Sequence, residues 1–178
     1  MLLFADPVHQ VHNNENDYCW QLKGEEKTKT AFANTGRRRL NIIGAINPLN
    51  LQPTIMLTEE NCCVEVMEAF LEEIRNQYRT ATHICMILDN ARYQRAYCVQ
   101  RKAEQLNINL IFLPPYCPNL NLIERLWRYF KKKVIKNKYY ETFAEFENCV
   151  EQFFINFEQH LDELKSLLSF KFGIIKAN

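Results

Sequence analysis

The chain has 178 residues, 47% hydrophobic and 24% charged, a length and balance that suit one compact domain and exclude extensive disorder. Its 22 basic and 21 acidic side chains leave a formal charge of +1, so any polyanionic partner must be met by local clusters and not by net charge. Seven cysteines without a C-x-x-C pair argue against a disulfide framework or zinc ribbon and for reduced thiols in a cytoplasm; with no basic flank before LLFA and no apolar run near about 18 residues, neither a signal peptide nor a membrane span is expected.

In chain order, residues 2–5 (LLFA) read as a short buried strand ending at Asp6. The stretches 18–22 (YCWQL), 40–46 (LNIIGAI) and 53–58 (PTIMLT) are β-branched or aromatic and bounded by Gly, Pro or Asn, which suits a strand meander. From 62 to 79, Val64, Met67, Leu71, Ile74 and Tyr78 recur at helical intervals, with Asn61 placed to cap the first turn. The run 84–88 (ICMIL) ends at Asp89 as the first strand ends at Asp6. A helix over 92–106 and a strand at 110–113 (LIFL) follow, so 84–113 is expected to be two parallel strands joined by a right-handed crossover. Ligands of such sheets gather beyond the carboxyl ends of the strands, where Asp89 stands.

After the loop PPYCPN, a helix over 120–136 carries Ile123, Trp127, Phe130 and Val134 on one stripe. Thr142 and Glu145 then stand in capping-box spacing. Beyond them Phe143, Phe146, Val150, Phe153, Phe157, Leu161, Leu164 and Leu168 mark one long amphipathic helix or two shorter ones.

Acids ending the first and a later strand, with a third acid on a following helix, form the arrangement expected of a ribonuclease-H-like nuclease. Its chemistry requires carboxylates: two-metal attack on a phosphodiester uses cations about 3.5 to 4 Å apart, one activating the nucleophile and one stabilising the leaving oxygen. Mg²⁺ is a hard ion that prefers oxygen ligands. Taken singly, an Asp-Asn at a strand end is ordinarily a capped turn, and a lone helix Glu a solvated charge.

The surrounding motifs are more specific. LDNARYQRA (88–96) and LPPYCPNLNLIERLW (113–127) resemble the second and third catalytic motifs of mariner-superfamily transposases, especially the bacterial insertion-sequence branch, with 34 residues between Asp89 and Glu124. FADPVHQV (4–11) is similar to the first motif, and GRRRLNIIGAIN and YYETFAEF to flanking segments. Cys117 stands where relatives often have Ser, and Leu122 where many have Pro. The resemblance implies an α/β ribonuclease-H-like catalytic domain over 1–178: a mixed five-stranded sheet flanked by helices, with a C-terminal helical extension. It also implies that Asp6, Asp89 and Glu124 are the catalytic metal ligands for two Mg²⁺ or Mn²⁺ ions that cut and rejoin DNA. His9 is expected to be structural more often than a substrate-orienting group, and Asn90 to brace its loop.

RLWRYFKKKVIKNK (125–138) holds seven Lys or Arg and no acid. On a helix, Glu124, Arg128 and Lys131 share a face, so a basic rail is expected to lead away from the acids. Arg125, Arg128, Lys131, Lys132 and Lys133, with the cluster Arg37, Arg38 and Arg39, are the candidate phosphate contacts. Trp127 lies on the apolar stripe and reads as core, and Tyr93, Tyr97, Tyr116, Tyr139 and Tyr140 as packing or surface residues. The partners implied are transposon-end and target DNA, with a homodimer also implied and no membrane.

Relatives carry helix-turn-helix domains upstream of the first Asp; five residues precede Asp6 here, so that region is expected to be absent. Two other readings fit the same residues: a non-catalytic DNA-binding or dimerising remnant, and a structure-selective nuclease on the same fold.

Overall fold

The structure is a computed structural model that describes residues 1–13, 36–115 and 117–170. Five strands, β1 (Leu2–Val11), β2 (Arg39–Ile46), β3 (Pro53–Thr58), β4 (Ile84–Leu88) and β5 (Ile108–Phe112), form one sheet in the order β3-β2-β1-β4-β5. β1 pairs antiparallel with β2, and β2 with β3, whereas β1, β4 and β5 run parallel. The expected strand at 18–22 and Tyr116 of the third motif lie outside the described residues.

The pleat divides the core between the two faces of the sheet. Leu3, Ala5, Ile43 and Ala45 pack with helices α1 (Val64–Gln77) and α2 (Tyr97–Gln105). Their neighbours along the strands, Phe4, Leu40, Ile42 and Ile46, pack with α3 (Ile123–Phe130), α4 (Phe143–Ile155) and α5 (Leu161–Leu167). Alternation along each strand thus sends successive side chains into separate cores. This is the ribonuclease-H-like mixed sheet flanked by helices, with α4 and α5 as the C-terminal helical extension.

Several boundaries differ from expectation. α1 starts after Cys63 without a side-chain cap, because the Asn61 side-chain oxygen accepts instead from Arg39 on β2. The helix expected over 92–106 is a 3₁₀ turn at Tyr93–Arg95 followed by α2, since Ala96 between them is extended, with ψ 141°. The helix expected over 120–136 starts later, and after Phe130 it widens into a π-helical turn at Lys131–Ile135.

The last amphipathic stretch is two helices with a 3₁₀ turn at Phe157–His160 between them. α4 opens with the expected capping box: Thr142 Oγ1 accepts from the Glu145 N–H at 3.2 Å, and the Glu145 carboxylate accepts from the Thr142 N–H at 3.4 Å. Among the described residues no helix is long and apolar enough to cross a membrane, and the six described cysteines are all free thiols.

Candidate active site

β1 does not end at Asp6. Its pairing with β4 stops at Ala5 opposite Leu88, while its pairing with β2 continues past Asp6, which faces Gly44, as far as Val11. Asp6 is therefore a mid-strand residue at the point where one edge of β1 loses its neighbour. The apolar run stops there because burial on the β4 side stops, although the strand goes on. Asp89 is the first residue after β4, and the next residue of the β5 exit, Leu113, donates its N–H to the Leu88 carbonyl at 2.9 Å. Both acids consequently lie at the same end of the parallel strands.

Glu124 comes from the first turn of α3, on the side of the sheet to which even-numbered β1 residues point. A close approach between α3 and β2 makes this possible. A Cβ built on Gly44 would lie 2.6 and 2.8 Å from two ring atoms of Trp127, well inside van der Waals contact. Only a residue without a side chain lets the buried indole lie against β2 directly across from Asp6.

One carboxylate oxygen from each of Asp6, Asp89 and Glu124 can be chosen so that all three lie within 4.8 Å of one another, and all three side chains are part-buried. Burial first, then the neighbouring Asp89 and Glu124 carboxylates, raise the Asp6 pKa to about 8. The Trp127 indole N–H pulls weakly the other way, although it meets no acceptor in full hydrogen-bond geometry. Glu124 is also raised, by burial and by Asp89, and Arg128 and Lys131 offset part of that shift. Such a cluster repels itself, and a cation among the three oxygens would offset that repulsion.

Two further residues of the motifs around Asp89 and Glu124 lie beside the acids. Asn121, buried just before α3, donates from Nδ2 to Asp89 Oδ1 at 3.0 Å and to the Ala5 carbonyl at 3.1 Å. Tyr93, read from the sequence as a packing or surface residue, does pack against the α1–α2 core; burial, then Cys62, Asp6 and Asp89, push its phenol well above the usual range. Their one signal in the sequence is that both fall inside the second and third motifs. Asn90, by contrast, is exposed, and the Ala91 N–H of that loop is held by the buried Gln94 side chain at 3.3 Å. His9 lies three residues from Asp6 and so faces the opposite side of the sheet. Its Nδ1 is 2.6 Å from Asn41 Oδ1, and Asn41 in turn donates to the Glu60 carbonyl at 2.6 Å, which makes His9 a brace between strands and the next loop.

The basic residues divide by what they touch. Arg125 donates to the Leu167 and Ser169 carbonyls at 3.0 and 2.8 Å, satisfying the end of α5. Lys133 pairs with Glu163 at 2.8 Å. Arg38 pairs with Glu59 at 2.7 Å and lies over the Phe143 ring at 3.9 Å, and Arg39 bonds Asn61. Arg37 is exposed. Arg128 and Lys131 stand close enough to Glu124 to favour its charged form. Arg128 and Lys132 also line an open cleft of about 530 Å³ between α3 and α5, together with Tyr129, Glu163 and Ser166. Trp127 is 2% exposed, a core residue.

A family model described as DDE superfamily endonuclease matches residues 1–147. An uncharacterized protein of Sinorhizobium fredii, y4pE/y4sA, is 29% identical over 84 residues, which is 47% of this chain and 60% of that one. Among solved structures, the Mos1 transposase paired-end complex with left transposon end superposes at TM-score 0.69 and 12% identity over 97% of this chain and 56% of the other. The Mos1 strand transfer complex gives 0.71 and 13% over 94% and 50%. The catalytic domain of Mos1 mariner transposase gives 0.61 and 11% over 94% and 78%. The chain thus spans about half the length of the first of these structures, and at such identities the likeness is one of fold.

Proposed function

Since the chain belongs to the DDE superfamily endonucleases, we propose that it is the catalytic domain of a DNA transposase in which Asp6, Asp89 and Glu124 hold two divalent metal ions. The observation that carries this reading is the convergence of three carboxylates from β1, the end of β4 and the start of α3 to within 4.8 Å. The donor set fits the group. Three hard oxygen ligands suit Mg²⁺ or Mn²⁺ and leave positions for water and phosphate oxygens. An acid held up to about 8 by burial and by two like charges is a site whose charge a cation balances. The fold relative Mos1 has been solved as paired-end complexes with Mn and with Mg.

When bound, the ions would activate the attacking oxygen and stabilise the leaving oxygen. The remaining work falls to side chains of this chain. Asp6 is fixed by a strand paired along β2, Asp89 by the Asn121 amide, and Glu124 by the first turn of a helix anchored on Trp127. Arg128 and Lys131 favour ionised Glu124 and can take phosphate oxygens beside it. Lys132, with Arg128, extends that basic surface into the α3–α5 cleft, and Arg37 offers a further contact. Arg38, Arg39, Arg125 and Lys133 would bind phosphate only in competition with the contacts they already make.

The test is metal-dependent nicking and joining of a cognate transposon end. The wild-type protein should give both cleavage and strand-transfer products, and Asp89→Ala and Glu124→Ala should each abolish both. Wild-type activity in both variants would overturn the assignment. Cleavage without any strand transfer would point to a plain nuclease on this fold.

A further inference from the structure

Asn121 carries no charge, yet it reaches all three elements that bear the acids. Its side chain is fully buried. One hydrogen of its amide nitrogen serves Asp89 Oδ1 at 3.0 Å, and the other the carbonyl of Ala5, the residue before Asp6, at 3.1 Å. Its backbone carbonyl accepts the N–H of Glu124 at 3.2 Å. Both side-chain partners are acceptors, so the nitrogen must face them and the orientation of the amide is dictated by chemistry.

That orientation has a consequence at the other end of the amide. Asn121 Oδ1 is buried without a hydrogen-bond partner, an arrangement that disfavours folding compared with an apolar group of the same shape. A half-satisfied amide is thus a poor device for stability alone. What it does supply is a fixed geometry: one side chain holds the Asp89 carboxylate against the β1 backbone that presents Asp6, and the same residue receives the first turn that presents Glu124.

We infer that Asn121 is a positioning residue that sets the spacing of the three carboxylates and thereby the affinity of the site for a divalent cation. The inference rests on the metal-site reading of Asp6, Asp89 and Glu124. Outer contacts that orient ligating carboxylates typically contribute about ten- to a hundredfold to metal affinity. Asn121→Leu keeps the volume and removes both donors, whereas Asn121→Ser keeps one donor on a smaller side chain.

The experiment titrates Mn²⁺ into the wild-type chain and both variants, following free Mn²⁺ by electron paramagnetic resonance, with the metal-free melting temperature measured alongside. The wild type should bind, Asn121→Leu should bind at least about tenfold more weakly, and Asn121→Ser should fall between them, more than about twofold weaker than wild type. A purely structural role predicts a lower melting temperature with an unchanged Kd. Binding by either folded variant within about twofold of wild type would therefore overturn the inference, and if Asn121→Leu does not fold, Asn121→Ser decides. A wild-type chain that binds no Mn²⁺ would instead bring down the metal-site reading itself, so the two failures are distinguishable.

Discussion

Burial of Asp6 between two other acids gives the metal-free protein a pH dependence with a definite sign. Its pKa rises from 3.8 to about 8 on folding, so between those values the native state holds a proton that the unfolded chain has released. Stability should therefore fall as pH rises through this window, by up to about 1.4 kcal/mol per pH unit for one such group. Glu124, shifted the same way, adds to the trend. We expect Asp6→Asn to match wild type below the window and to be the more stable protein above it when both are unfolded thermally in chelator. Equal melting temperatures across the range would show that Asp6 is not held in its neutral form. The same proton must leave for a cation to enter, so Mn²⁺ affinity should climb with pH over the interval in which metal-free stability declines.

At the level of elements, the decisive contact is that of α3 with β2 through Gly44 and Trp127. Gly44→Ala places a methyl where the indole lies, 2.6 Å from its nearest ring atom, and neither the strand nor the helix can yield without moving an acid. A loss of about 1 to 3 kcal/mol is expected in chemical denaturation, together with weaker Mn²⁺ binding because Glu124 rides on the same helix; unchanged stability would mean that α3 is free to slide. The parts of this arrangement differ in how far the sequence discloses them. Thr142 and Glu145 are legible because a capping box is local. Asp89 and Glu124 are legible because their motifs are local as well. Gly44 opposite Asp6 depends on strand register, and Asn121 bonds partners 32 and 116 residues away, so no window along the chain contains either relation. The π turn at Lys131–Ile135 is hidden for another reason: a stripe counted at 3.6 residues per turn passes through it, and only the paired burial of Val134 and Ile135 reveals the wider turn. At Asp6 the apolar run ends but the strand does not, because β2 keeps it paired to Val11.

Across the whole molecule, a formal charge of +1 conceals a separation of charge along one helix, with Glu124 in the acid cluster and Arg128, Lys131 and Lys132 following it. If DNA lies along that surface, each cation that neutralises a phosphate releases a counterion, and the logarithm of the binding constant falls linearly with the logarithm of salt concentration. Fluorescence anisotropy of a duplex over a salt series reads this directly. Arg128→Ala and Lys132→Ala should each weaken binding to unrelated sequences alike and flatten the salt slope by about one. Lys133→Ala should alter it less, because Lys133 already pairs with Glu163 at 2.8 Å and would have to give up that partner to meet a phosphate. The contrast between adjacent lysines separates a specific track from a diffuse positive face: equal slopes for the Lys132 and Lys133 variants would remove the α3–α5 cleft from the path of the DNA, whereas a steeper loss at Arg128 and Lys132 would tie that path to the acids one helical turn away.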